Sequence, residues 1–184
     1  MGDLGAALRR RSGVFYAMAT SGAAFGVMFT FTQPFALGLG EERVSGLFLG
    51  YTAAAVFVRL VFGGLADRLG RQQVALGSLL LYACVVTATA ALQPGWLPVF
   101  GLGFGAAHGL FYPALSAFTV EGVPRAQRGT LTALVNAAFN LGSTAMVAAG
   151  GLFARSTSYE LVFVLAGLFT MSGVVALARK TRPC

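Results

Sequence analysis

Charge is scarce in this chain: only 10% of its 184 residues are Asp, Glu, Lys or Arg. A soluble domain carries about 25%. The shortage excludes an ordinary cytosolic enzyme and a disordered tail, which both depend on solvated polar surface. Acidic residues number 6 against 13 basic ones, and the isoelectric point is near 10.3. Yet 13 basic residues spread along the chain make no patch, so nucleic acid is excluded as a partner. Cys84 and Cys184 are the only cysteines, too few for a disulfide framework or a cysteine metal site. The single histidine, His108, makes no multi-histidine site. No cofactor and no metal are expected. What is abundant is apolar: 57% of residues are hydrophobic and the mean hydropathy is +0.76. The fold class is therefore an all-α membrane protein.

The sparse charges divide the sequence into apolar blocks. Residues 12–40, 129–154 and 161–178 carry no charge, and 44–66 carry only Arg59. Residues 72–120 form one uncharged run interrupted by Gln93-Pro94-Gly95-Trp96. A helix crosses the bilayer core in roughly 20 apolar residues, so this run is two helices joined by a turn. Six transmembrane spans result, at about 13–38, 44–66, 73–92, 97–120, 129–153 and 160–178. Residues 1–12 and 179–184 are short tails around a single domain at 13–178. The first apolar stretch is too long for the h-region of a signal peptide. Ala6 stands where N-myristoylation requires Ser or Thr.

Arginine and lysine placement sets orientation. Arg9, Arg10, Arg11, Arg68, Arg71, Arg125, Arg128, Arg179, Lys180 and Arg182 all fall on one side of a six-helix path. The other side has Arg43 and Arg155. Basic loops mark the cytoplasmic face. Both termini are expected there, in a multi-pass protein of the cell membrane.

Polar residues inside spans face a bundle interior or a watery cavity, because lipid disfavours them. The first span carries Gln33 before Pro34, the second Arg59, the fourth His108, Tyr112 and Ser116 at helical spacing, and the fifth Asn136 and Asn140. Those four spans are expected to line a cavity, with the third and sixth peripheral. His108, Tyr112, Asn136, Asn140, Gln33 and Arg59 are the candidate solute or proton contacts. His108 is the one group deep in a span whose ordinary titration lies near neutrality; the structural alternative is a neutral histidine bonded between helices. Arg59 is an anion contact or gate charge, or else an arginine bound to carbonyls near the cytoplasmic end. Asn136 and Asn140 contact solute or bridge helices. Gly22 and Gly26, and then Gly101, Gly105 and Gly109, recur at a spacing that lets membrane helices approach closely.

The loop after the second span reads Gly63-Gly64-Leu65-Ala66-Asp67-Arg68-Leu69-Gly70-Arg71-Gln72. It resembles the G-x-L-a-D-r-x-G-r-k signature of the major facilitator superfamily of transporters, with Gln72 departing from the final basic position. Arg59 resembles the arginine often found upstream of that signature. Glu121-x-x-Pro124-x-x-x-Arg128-Gly129 with Asn140-Leu141-Gly142, and Ser158-Tyr159-Glu160-Leu161-Val162-Phe163, resemble later segments of the family. The resemblance covers essentially the whole chain and implies one six-helix half, the C-terminal one, built as a 3+3 inverted repeat. It implies no enzyme but a secondary transporter of a small solute, in which two halves rock about a midplane site. It also implies a cytoplasmic latch in which Asp67 and Arg71 join Glu121, with Gly63, Arg68, Gly70 and Arg128 completing the motif loops. A lone half needs a second one. A parallel homodimer or a separate N-terminal half would supply it, placing Asp67 near the start of the partner's fifth helix. A truncated inactive remnant or a noncatalytic membrane subunit is the alternative. A rhomboid-type hydrolase is excluded, since no Ser-Gly pair follows a Gly-x.

Overall fold

A computed structural model describes residues 11–156 and 158–179. Those residues fold into helices: α1 (Ser12–Gly38), α2 (Ser45–Phe62), α3 (Leu65–Leu69), α4 (Arg71–Ala88, extended by a 3-10 turn at Thr89–Ala91), α5 (Leu97–Val120), α6 (Arg125–Ser156) and α7 (Tyr159–Arg179). The expected tails at 1–10 and 180–184 lie outside the described residues.

Five helices are long and apolar enough to cross a membrane: α1, α2, α4 with its 3-10 extension, α6 and α7. The expected fourth span, α5, has the length at 24 residues and is mostly apolar, but its polar positions leave it outside those five. His108, Tyr112, Ser116 and the prolines Pro98 and Pro113 dilute it. The second expected span is also shorter than the block of residues 44–66. It stops at Phe62, and Gly63-Gly64 separates it from the short helix α3. Gly70 then ends α3 and begins α4 with φ of +93°, a left-handed conformation that only glycine adopts without strain. Pro34 and Pro113 lie inside unbroken helices. At the other end of the bundle, Glu41 accepts a hydrogen bond of 2.6 Å from the Gly95 N–H, tying the two loops together.

α1 and α5 form the middle of the bundle. α1 packs on α6 and α7, α5 packs on α2 and α4, and α4 meets α7. The core between them holds Met18, Met28, Leu79, Tyr82, Phe104, Phe111 and Phe163. Outward faces remain apolar, as at Leu49, Val56, Phe57 and Leu60 of α2. Helices apolar on all sides belong in a core or in lipid. Every buried side-chain nitrogen and oxygen among the described residues has a hydrogen-bond partner, as a medium without water demands. Thr170, for example, donates to the Ala166 carbonyl at 2.8 Å.

Two seams bring backbones into contact. On the α1–α6 seam, a Cβ on Gly22 would overlap the Phe139 backbone, and one on Gly142 would overlap that of Ala19. On the α2–α5 seam, Gly101 meets Leu47, Gly105 meets Tyr51 and Gly50 meets Pro98 in the same way. The glycine spacing is thus spent on helix packing. α4 and α7 are peripheral in one sense only. They line neither of the cavities described below except through Arg71 and Val74, yet they are better buried than α2 and α6.

Candidate functional site

An open pocket of about 310 Å³ lies among α1, α5 and α6, lined by Phe25, His108, Tyr112, Asn136, Phe139 and Asn140. Four of the six expected cavity residues therefore meet at one place. The fourfold spacing of His108 and Tyr112 puts both on one face of α5, and that of Asn136 and Asn140 does the same on α6. The His108 ring lies 5.1 Å from that of Phe25 and 5.6 Å from that of Tyr112, centroid to centroid. The Tyr112 hydroxyl donates to Asn136 Oδ1, linking α5 to α6 across the pocket floor. His108 is only 8% exposed, and its Nδ1 is 3.2 Å from the hydroxyl of Tyr82 on α4. It is thus both a pocket residue and a bridge between helices.

Gln33 and Arg59 lie elsewhere. Gln33 turns back on its own helix, donating to the Phe29 carbonyl at 3.4 Å, and lines neither cavity. A polar side chain one turn from a helix carbonyl can satisfy itself locally. Arg59 is exposed and lines a second cavity of about 300 Å³, beside Gly63, Asp67, Arg71, Gly109 and Pro113.

That second cavity borders the charged end of the bundle. Arg71 reaches Asp67 at 3.2 Å and Glu121 at 3.9 Å, so the three latch residues stand together. Asp67 sits in the first turn of α3; it does not cap α4, whose first flanking position is Gly70. Arg68 is in the last turn of α3 and exposed. Arg128 donates from Nε to the Val123 carbonyl at 3.0 Å, bracing the loop that carries Glu121.

Two functional residues escape a reading by composition. Tyr82 is fully buried and holds His108, although its helix contributes nothing to the pocket wall. Arg11 reads as an orientation signal, yet it donates to the carbonyls of Phe118, Thr119 and Glu121. A cation on the free carbonyls of a helix C-terminus is favoured by the dipole. An arginine placed immediately before a span, at the end of the bundle where another span finishes, is the signal that could have found it.

Long apolar helices, charges confined to loops and helix ends, and an open pocket with polar residues between three helices together define a multi-pass membrane protein. Residues 9–183 match the sequence model of the Major Facilitator Superfamily, and the chain belongs to that family. It is 31% identical over 159 residues to the niacin transporter NiaP of Acinetobacter baylyi, covering 84% of this chain and 35% of that protein. It is 33% identical over 125 residues to the 3-(3-hydroxy-phenyl)propionate transporter of Escherichia coli, covering 65% and 30%. An uncharacterized MFS-type transporter of Bacillus subtilis, YhjO, is 32% identical over 95 residues, covering 50% and 23%. The chain spans about a third or less of the length of these relatives. All three relatives are named as transporters.

Proposed function

We propose that this chain is one six-helix half of a secondary transporter that moves a small organic solute by alternating access. The observation that carries the reading is the one-sided pocket. His108, Tyr112, Asn136 and Asn140 converge on it, and the chain leaves it open. Of the most apolar stretch of each helix, 67% is buried in α1 but 11% in α6 and 28% in α2. A second half facing α2 and α6 would close the pocket. The relatives named for niacin and for 3-(3-hydroxy-phenyl)propionate support a small organic cargo.

α5 is the sixth span in this reading, its polar residues tolerated because they face the pocket and not lipid. A 3+3 inverted repeat is supported by the packing. Exchanging α1 with α5, α2 with α6, and α4 with α7 turns the α1–α6 contact into α5–α2 and the α1–α7 contact into α5–α4. The glycine contacts follow the same exchange, Gly22 on Phe139 matching Gly101 on Leu47. The Lys/Arg distribution supports a reading with both termini at the cytoplasmic face of the plasma membrane. The second half is a second copy in parallel orientation or a separately encoded N-terminal half. Arg71, Asp67 and Glu121 form the latch that opens and closes that face.

Two measurements test this reading. Single cysteines at Leu69 and at Trp96 should differ in intact cells, with Trp96 labelled and Leu69 protected; the reverse overturns the orientation. Cysteines at Leu69 in one copy and Thr130 in another should crosslink in native membranes. A monomer without that crosslink, in cells that hold no other half, favours an inactive remnant.

A further inference from the structure

Tyr82 has one hydroxyl proton and, buried as it is, one polar partner: His108 Nδ1 at 3.2 Å. A buried hydroxyl proton left without an acceptor costs about 1–3 kcal/mol. If Nδ1 carried the imidazole proton, it would donate to the Tyr82 oxygen and leave the phenol proton stranded. A doubly protonated ring would do the same. Only one arrangement satisfies both groups: Tyr82 donates, and Nδ1 accepts through its lone pair. The ring proton then sits on Nε2. Among the described residues Nε2 has no hydrogen-bond partner, and no occluded side-chain nitrogen among them lacks one. Nε2 is therefore open to the pocket that His108 lines.

The rest of the wall agrees in polarity. The Asn136 carbonyl is taken by Tyr112, which leaves its amide N–H groups as donors. Phe25, Phe139 and Tyr112 supply rings, and no carboxylate lines the pocket. We infer that Tyr82 is a positioning residue that holds His108 as the Nε2–H tautomer, so that the pocket takes a flat, ring-bearing solute by a hydrogen-bond acceptor such as a carboxylate or carbonyl. The inference on the solute rests on the reading of this pocket as the solute site; the inference on the tautomer does not. A cationic solute would find rings for a cation–π contact but an N–H pointed at it and no counter-charge.

The chain has one histidine, so histidine labelled with 15N, in full-length protein purified through a histidine-free tag, reports His108 alone. In bilayers the expected spectrum has a lone-pair nitrogen at Nδ1 and a protonated one at Nε2. Tyr82→Phe should admit the other tautomer. A protonated Nδ1 in the unaltered protein overturns the inference without any need for the variant, and so does an unchanged tautomer in a folded Tyr82→Phe protein. Three probes then test the solute: benzoate, cyclohexanecarboxylate and benzylammonium, each titrated against the His108 signals. Benzoate should bind best and move Nε2, and Tyr82→Phe should weaken it roughly 3–10-fold. Equal binding of cyclohexanecarboxylate overturns the requirement for a ring, and preference for benzylammonium overturns the acceptor. Binding of none of the three, with the tautomer as expected, overturns the pocket as a solute site and leaves the Tyr82 assignment standing.

Discussion

Along the α1–α6 seam, Gly22 meets Phe139 and Gly142 meets Ala19; along the α2–α5 seam, Gly101 meets Leu47 and Gly50 meets Pro98. The register that lays Gly22 and Gly26 on Gly101 and Gly105 also lays Pro34 on Pro113. It sets Phe25 against Phe104, Phe29 against His108 and Gln33 against Tyr112. The backbone contacts repeat where the side chains facing the interior do not. Phe29 stacks among Phe25, Phe48 and Tyr51, while His108 bonds Tyr82 and lines the pocket. In the proposed inverted repeat one frame is used twice, and the polar chemistry of the pocket differs between the two copies. Close approach restricts the seam to glycine at Gly22, Gly142, Gly101, Gly105 and Gly50, because a Cβ there strikes backbone; the face of the helix turned to the interior carries no such restriction and is free to diverge.

The largest effects should come from breaking the shared frame. Gly22→Ala and Gly105→Ala each force two helices apart, and overpacking of this kind costs about 1–3 kcal/mol. The two should lower the unfolding temperature in detergent by similar amounts, and Gly22→Leu or Gly105→Leu should abolish the folded, monodisperse protein. Gly77→Ala is the matched control: it lies within α4 with open space around its Cβ position. Alanine is favoured over glycine in a helix by about 1 kcal/mol, so this variant should be as stable as the parent or more so. If Gly22→Ala behaves like Gly77→Ala while Gly105→Ala does not, the seams are not equivalent.

The next effect separates the two copies. His108→Ala removes the acceptor from Tyr82 and the donor from the pocket, so solute uptake should fall by about tenfold or more, as losing a hydrogen bond worth roughly 1.5 kcal/mol implies. Phe29→Ala, at the matching position, removes apolar packing and should lower stability more than uptake. Uptake assays on reconstituted protein, scaled to folded fraction, distinguish them. Equal loss of uptake would mean that the pocket extends to Phe29.

These contrasts show what the sequence could reveal. Five of the spans were legible because charge is disfavoured in lipid, so the long stretches poor in charge mark helices. The glycine seams were legible because close approach leaves a periodic trace. The Asp67, Arg71 and Glu121 cluster was implied by the resemblance to the family, and His108, Tyr112, Asn136 and Asn140 were read from polarity at helical spacing. Tyr82 was not legible as a partner of His108. Periodicity assigns residues to a face of α4 but does not say which helix that face meets. Gln33 misled because polarity does not reveal whether a side chain bonds outward or to its own helix, as it does to Phe29. The end of α2 at Phe62 was missed because the bounds of an apolar block do not report where glycines interrupt a helix.

The smallest effects lie at the charged end, where the two arginines should differ. Arg11 holds three carbonyls at the C-terminus of α5 and in the loop after it. Hydrogen bonds from a charged group are worth about 1.5–3 kcal/mol when well formed, and solvent exposure here reduces that, so Arg11→Ala should destabilise by about 1 kcal/mol. Arg71 pairs with Asp67 and Glu121 at side-chain exposures of 36%, 68% and 59%. Exposed pairs contribute about 0–1 kcal/mol and are screened by salt. Arg71→Ala in the isolated chain should therefore shift the unfolding temperature less than Arg11→Ala, and the shift should vanish near 1 M salt. A larger, salt-resistant loss in membranes than in detergent would show that another surface covers the latch. That would place the second half against Arg71 and sharpen the contrast between the closed seams and this open end.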